Sequence, residues 1–522
     1  MSKKESLSES DLTPGLRRFL YFTATITGAA IMVIEILGAK ILSPYVGTSH
    51  FVWTAQIAVT LVALAVGYYA GGRMADASAQ LGRLYLCITI AAVYLALSIG
   101  VIEPLAYWCL GFKLAVGSLL ASAMLYFIPL ALLATTGPYL VRALTSNVQT
   151  VGGNAGRLTA VSTLGSFVGT VLIGYVLLPL LPNSVSMFGT SVLLLLLASA
   201  YHLIWGRRTQ GAVPLVVATA LAATFGLAGI RRVEASGHSG LAEVYRGNSN
   251  FGLLQVIEDP SGHRRSYLND YLTQNTYDSR TRQSRSLFTF MLHDLAAMYS
   301  PKIESVLCIG LGVGIVPMQF ARDGAKVDVV EINPAVAPVA ARYFDFDPSK
   351  VRVEIEDGRS FLNRSAAAKY DSVILDAFLG DASPAHLMSR EACAAIRKVL
   401  KPQGVLVINC FGDFDLGRDF LTSSLDLTLK KVFPSVLIHA SGNGNVFFVA
   451  GVSENLAVVH PPSFNDVPDF LRPSAQEAFN SVRVTNPAHG RILTDDFNPT
   501  EFYDATNREE WRRSMALSMK QR

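Results

Sequence analysis

The chain has 522 residues, a net charge of +4 and only 16% charged side chains. A mean hydropathy of +0.35 is high for an ordinary soluble protein, and so small a positive charge excludes a nucleic-acid binder. Acids are few in the first 230 residues and ordinary in number thereafter, and the length allows two or three domains.

Residues 1–18 form a polar N-terminal segment with no small-residue cleavage site of a signal peptide. Apolar runs follow at 19–39, 52–72, 84–102, 115–141, 158–181, 184–205 and 212–229. Each approaches the roughly 20 residues that span a bilayer, so a transmembrane domain of about seven helices is predicted over 19–232. Small residues recur at close-packing spacing in Gly67-Tyr-Tyr-Ala-Gly71 and Gly165-Ser-Phe-Val-Gly169. Pro129 and Pro138 predict kinks in the fourth span. Glu35 lies inside the first, where a carboxylate is costly. It marks either a cation-facing functional site or a protonated group bonded to a neighbouring helix. Lys3, Lys4, Arg17, Arg18, Arg73, Arg83, Arg142, Arg157, Arg207 and Arg208 fall on alternate loops, against Lys40 and Lys113 on the others. The positive-inside rule therefore places the N-terminus in the cytoplasm. Seven spans would then put the second half outside, away from cytosolic nucleotides, whereas an even number would not.

From 240 the chain turns soluble, with a small β segment over 240–300, a Rossmann-like domain over 301–455 and a C-terminal extension over 456–522 whose last part, 501–522, reads as a charged, exposed helix. Strand-like runs at 304–310, 326–332, 351–355, 370–377 and 404–410 alternate with helical ones, which predicts a parallel sheet covered on both faces. The fold class is thus a multi-pass α-helical membrane bundle fused to an α/β Rossmann-like domain. Ligands of such sheets sit at the carboxyl ends of the strands. Those ends carry Gly310, Gly312 and Gly314, then Glu331, Asp357 and Asp376. The glycines let backbone approach a ligand, and Glu331 can accept both hydroxyls of a ribose. A dinucleotide fingerprint would need glycine at 315, which is Ile315, so an adenosyl ligand is favoured over NAD. Asp357, followed by Gly358, is placed for an adenine amino group. The cysteines, Cys87, Cys109, Cys308, Cys393 and Cys410, form no metal-type pair, and no metal is expected.

The soluble half resembles spermidine synthase and its aminopropyltransferase relatives over about 243–450. The likeness rests on Leu253–Gln274, the glycine loop, Glu331, Asp357-Gly358 and Tyr370-Asp-Ser-Val-Ile-Leu-Asp376-Ala-Phe-Leu-Gly-Asp381-Ala-Ser-Pro384-Ala-His386-Leu. The first half is similar to the membrane domain fused to many bacterial members, through Glu35, Ser43-Pro-Tyr-Val-Gly47, Val52-Trp-Thr54 and Gly67-Tyr-Tyr-Ala-Gly-Gly-Arg-Met-Ala-Asp76. The resemblance implies an integral protein of a bacterial inner membrane that acts on S-adenosylmethionine or its decarboxylated form, with no cofactor beyond that substrate. A nucleophile would attack the carbon beside the sulfonium, and methylthioadenosine would leave. Asp376 matches the catalytic acid that orients and deprotonates an attacking amine. Asp270 and Gln274 match a substrate-binding segment whose glycine is Tyr271 here, and Asp381 the second acid after Asp376. A polyamine, the lipid bilayer and further copies of the chain are the expected partners.

Three departures bear on substrate. The loop acid that pairs with the aminopropyl ammonium is Val313, a Tyr-His-Glu triplet that holds amines is replaced by Phe288-Thr-Phe290, and an Asp-Ser-Ser-Asp stretch has become Asp376-Ala-Phe-Leu-Gly-Asp381. A buried ammonium without a partner is costly, so intact S-adenosylmethionine is favoured. Aminopropyl transfer therefore competes with a lyase reaction in which the substrate's own carboxylate attacks to give homoserine lactone, with methyl transfer, and with a membrane carrier or sensor of a cationic adenosyl or polyamine ligand. Near the end, Leu493-Thr-Asp495-Asp496-Phe-Asn-Pro499 resembles a closing segment of the membrane-fused members. One of its acids either faces the pocket or serves a turn or cap.

Overall fold

The computed structural model describes residues 13–47, 50–78, 80–145, 148–206, 212–235, 241–378, 384–503, 507 and 510. The chain divides between Gly237 and His238 into two compact units.

In the first unit, seven helices among the described residues are long and apolar enough to cross a membrane. They are α1 (Pro14–Val46), α2 (His50–Ala77), α3 (Leu81–Cys109), α4 (Leu114–Leu144), α5 (Val151–Leu180), α6 (Asn183–Ile204) and α7 (Ala212–Ala235). The small-residue spacings are contact faces. A Cβ on Gly165 would lie 2.1 Å from the Thr25 carbonyl, and one on Gly169 2.5 Å from that of Ala29, so α5 packs backbone to backbone on α1. Gly67 and Gly71 bring α2 equally close to Ala131 and Thr135 of α4. α4 is interrupted twice. A π turn, Ala123–Phe127, precedes Pro129, and the helix breaks at Thr135 ahead of Pro138. A second π turn in α5, Ile173–Leu177, precedes Pro179. Proline withholds an N–H and crowds the preceding turn, and the helix widens to accommodate it.

The second unit opens with an antiparallel five-stranded sheet, β1 (Ala242–Ser249), β2 (Gly252–Glu258), β3 (Arg264–Asn269), β4 (Leu272–Asp278) and β5 (Gln283–Ser284), in sequential order. Helix α8 (Leu287–Tyr299) follows. Then come β6 (Ser305–Ile309), α9 (Ile315–Arg322), β7 (Lys326–Glu331), α10 (Val336–Tyr343), β8 (Arg352–Ile355), α11 (Gly358–Arg364), β9 (Tyr370–Leu375), α12 (Arg390–Val399), β10 (Leu400–Gly412), α13 (Phe420–Lys430), β11 (Ser435–His439), β12 (Gly444–Gly451) and α14 (Arg472–Asn480). The seven-stranded sheet has the order β11-β12-β10-β9-β6-β7-β8. β8, β7, β6, β9 and β10 are parallel, while β12 runs antiparallel between β10 and β11. The sequence reading stopped at the fifth parallel strand and missed that last hairpin.

Alternate residues of β6 feed opposite cores, Val306 and Cys308 into one and Leu307 and Ile309 into the other. This two-sided burial is why the strands read as continuous apolar runs. The chain leaves β6 in one direction for β7 and β8 and returns on the other side through β9, so the carboxyl ends of β6 and β9 flank the reversal. The helix expected over 501–522 lies largely outside the described residues, though Thr500–Tyr503 is helical.

Candidate active site

The glycine loop joins three strand ends. Gly310 N–H donates to the Val330 carbonyl at 2.8 Å, and Asp376 N–H to that of Ile309 at 3.0 Å. Gly310 holds φ at +97°, and a Cβ there would stand 2.3 Å from the Asp376 carbonyl oxygen. Only glycine lets β6 and β9 approach this closely while turning. Gly314, with φ +82°, starts α9 and faces the Phe346 ring, which a Cβ would meet at 2.3 Å.

Glu331 closes β7, 9% exposed. Its Oε2 accepts from Leu311 N–H at 3.0 Å and its Oε1 from Asn333 N–H at 2.8 Å. Burial raises its pKa against the pull of those amides. Each oxygen keeps a second lone pair, so the clamp fixes the carboxylate without exhausting its capacity to accept. Asp357 caps α11 by accepting from Ser360 N–H at 3.0 Å, and its other oxygen meets His386 Nε2 at 2.9 Å. Burial acts to raise its pKa, but the Ser360 amide and His386 outweigh it and the carboxyl titrates below its ordinary value.

Asp376 lies at the end of β9 with one face to the cavity. Its Oδ1 accepts from Asn409 Nδ2 of β10 at 2.8 Å, and Asn409 Oδ1 accepts from Asn445 Nδ2 of β12 at 2.9 Å. Asn445 thereby orients the Asn409 amide so that its NH₂ faces the acid. Burial pushes the Asp376 carboxyl up to about 6, with Asn409 opposing the rise. A carboxylate poised there holds or accepts a proton near neutrality.

These groups surround a cavity of about 120 Å³. Of the residues expected to bind, Gly310, Gly312, Gln274, Glu331, Asp357, Gly358 and Asp376 line it. Gly314 does not and shapes the loop from behind. Asp270 does not line it either and sits in the adjoining hairpin turn. Asp270 and Tyr271 have φ of +47° and +63° in the tight turn between β3 and β4, and Asp270 Oδ1 accepts from Leu253 N–H at 3.0 Å. The hairpin offers Asn269, Thr273, Gln274 and Asn275 to the cavity instead. Asp381 lies outside the described residues.

The departures separate in space. Val313 is 2% exposed, packed in the apolar core, and borders a small recess that it shares with Phe288, Gly310 and Asp376. Phe288 lines the cavity, whereas Phe290 packs on Val467 and Ala475 of the C-terminal extension. Two residues apart on a helix point in different directions, so only Phe288 meets a ligand. Of the carboxamides, only Gln274 was expected from the sequence. Asn269, Gln274, Asn275, Asn333, Asn409 and Asn445 all line the cavity. The visible signal was a polar residue ending a buried run, as in Val405-Leu-Val-Ile-Asn409. In the closing segment, Asp495 bonds Ser389 and Arg359, the latter at 2.9 Å, and Asn498 Nδ2 donates to the Ala385 carbonyl at 2.9 Å. That segment braces the chain around His386, and neither Asp495 nor Asp496 lines the cavity.

A glycine loop, strand-end carboxylates and a methyltransferase-type strand order define an α/β domain with its cavity where such sheets bind their ligands. Residues 286–440 match the Spermine/spermidine synthase domain family. Over 229 residues the chain is 31% identical to the polyamine aminopropyltransferase of Vibrio vulnificus (strain CMCP6), covering 42% of this chain and 76% of that protein. The chain belongs to this spermidine synthase-like transferase family. It is also 36% identical over 136 residues to the N-terminal histidine N-methyltransferase of Emericella nidulans, spanning 25% of this chain and 24% of that one. The solved structure of a probable spermidine synthase from Corynebacterium glutamicum ATCC 13032 is similar at 16% identity and a TM-score of 0.37, over 47% of this chain and 90% of that one.

Proposed function

We propose that the protein is an integral membrane enzyme that acts at the sulfonium of S-adenosylmethionine or its decarboxylated form and releases methylthioadenosine by aminopropyl-type transfer. The observation that carries this reading is Asp376, deep at the reversal of strand order with a pKa near 6, opposite the clamped Glu331 in one cavity. Glu331 would hold the ribose hydroxyls, and Asp357-Gly358 the adenine. An amine nitrogen then attacks the carbon bonded to sulfur. The carbon–sulfur bond breaks, its electron pair neutralises the sulfonium, and the amine's proton passes to Asp376. Seven apolar helices support membrane placement, with the N-terminus on the cytoplasmic side of a bacterial inner membrane by charge.

A lyase reading is favoured by a separate observation. Val313 and Phe288 set apolar groups beside Asp376 where an ammonium would need acids, and six carboxamides share the polar lining with the acids Glu331, Glu356, Asp357 and Asp376. The substrate's own carboxylate would attack the same kind of carbon, giving homoserine lactone and methylthioadenosine with no proton transfer. Incubating each donor with and without putrescine and identifying products by mass spectrometry separates the two. Spermidine from the decarboxylated donor alone establishes the transferase, and acceptor-independent homoserine lactone the lyase. Adenosylhomocysteine overturns both.

A further inference from the structure

The seven-helix unit carries polar chemistry that the reaction site does not use. Glu35 has no hydrogen-bond or ion-pair partner among the described residues. Gln56 of α2 is fully buried, and both its amide atoms are unpaired. Its amide reaches across to α1, where a Cβ on Gly38 would meet Gln56 Cδ, Nε2 and Oε1 at 2.8–2.9 Å. Gly38 is three residues from Glu35, on the adjoining part of the same helix surface. On α4, Ser118, Ser122 and Tyr126 are likewise fully buried with unpaired hydroxyls, although a helical serine ordinarily bonds the carbonyl a turn back.

These groups share a layer. At 1.5 Å per residue, Gln56 and Ser122 lie about 9 and 12 Å into the unit from the starts of α2 and α4, and Glu35 and Tyr126 about 16 and 18 Å in from the same end. Both π turns fall beside them. One contains Tyr126. The other, Ile173–Leu177 on α5, is level with Glu35 by the offset that pairs Gly165 with Thr25 and Gly169 with Ala29, although Tyr175 within it is 81% exposed. π turns free backbone carbonyls and recur at functional sites. Lys40, the nearby base on α1, sits about 140° round the helix from Glu35.

Buried polar groups are almost always paired, and a cluster of exceptions needs a partner from elsewhere. One carboxylate with neutral oxygens and freed carbonyls suits a cation bearing N–H donors. We propose that the seven-helix unit holds an alkylammonium site between α1, α2 and α4, with Glu35 as counter-charge and Gln56, Ser122 and Tyr126 as neutral acceptors. It rests on the membrane reading given above but not on the reaction.

The test measures radiolabelled putrescine binding to the full chain in lipid nanodiscs by equilibrium dialysis. Saturable binding is expected in wild type and in Glu331→Ala. It should fall at least tenfold in Glu35→Gln and measurably in Tyr126→Phe, which removes one hydroxyl and spares the fold. Equal binding by wild type and both variants overturns the site, as does the absence of saturable binding in wild type. Displacement by sodium at millimolar concentration overturns the alkylammonium assignment. Methylthioadenosine release is followed on the same samples. Glu35-dependent binding without release sinks only the enzymatic reading, and release without such binding sinks only this one.

Discussion

Replacing Asn409 by Leu should move the pH dependence of turnover without dismantling the site. Asn409 is 3% exposed and gives Asp376 its sole side-chain hydrogen bond among the described residues, counteracting burial. A hydrogen bond to a charged group contributes about 1.5–3 kcal/mol, and one pKa unit corresponds to about 1.4 kcal/mol. Losing it should lift the Asp376 carboxyl by roughly 1–2 units from its value of about 6. The ionised form is needed, whether it takes a proton or holds an ammonium, so the rate climbs as pH rises through this pKa. The acid limb should therefore shift to higher pH by the same 1–2 units, costing roughly 3- to 25-fold near pH 6.5 and much less near pH 9. Methylthioadenosine release measured by chromatography from pH 5 to 9 reads this directly. Asn445→Leu should shift the limb in the same direction by less, because it frees the Asn409 amide to turn over rather than removing it. A profile lowered in height but unmoved in pH would refute the idea that the amide chain sets the ionisation of Asp376.

Asp376→Asn should abolish most turnover, by roughly 10²–10⁴-fold, yet raise thermal stability at pH 7–8. The native pKa is raised from 3.8 to about 6, so the unfolded state binds fewer protons between those values and stability falls as pH rises through them. The destabilisation is complete above about pH 6, amounts to at most about 3 kcal/mol, and vanishes below about pH 4; equal melting temperatures at pH 8 would count against it. Glu331→Ala should weaken adenosyl binding by two charge-assisted hydrogen bonds of about 1.5–3 kcal/mol each, and unchanged affinity by calorimetry would remove the ribose assignment. Gly310→Ala sets a Cβ 2.3 Å from a backbone oxygen at a φ of +97°; it should destabilise the soluble unit by several kcal/mol, and a wild-type melting curve would contradict the packing described.

The parts of the fold legible in the sequence were those written in period and run length. Seven apolar runs became seven helices, and Val306 to Ile309 declared a strand buried on both faces. The strand-end residues Gly310, Glu331, Asp357 and Asp376 were also readable, because register alone brings them to one cavity. Other features depend on partners distant in the chain. Asn409 acquires meaning only beside Asp376 and Asn445, thirty-odd residues away on either side. Asp270 matched a motif by position, but two positive φ values turn it into the hairpin, which no spacing reveals. Phe288 and Phe290 looked like one substitution and prove to face a cavity and a core.

That separation sharpens the question of substrate. If Phe290 faced the ligand, the site would have lost two polar groups to aromatic ones and a polyamine would be poorly served. Because Phe290 instead packs against the C-terminal extension, the apolar change at the site reduces to Phe288 and Val313, which share a small recess with Asp376. The polar lining sets six carboxamides, which both donate and accept, beside the acids Glu331, Glu356, Asp357 and Asp376. A carboxamide can bond a carboxylate or an amine, whereas a carboxylate repels the former. Under the proposed function, the carboxamides would tolerate the carboxylate of intact S-adenosylmethionine while Asp376 would favour a cation at its own end. Both donors would then be admitted at the binding step, and the choice would fall to whichever nucleophile, internal or external, reaches the carbon beside sulfur in line with its leaving group.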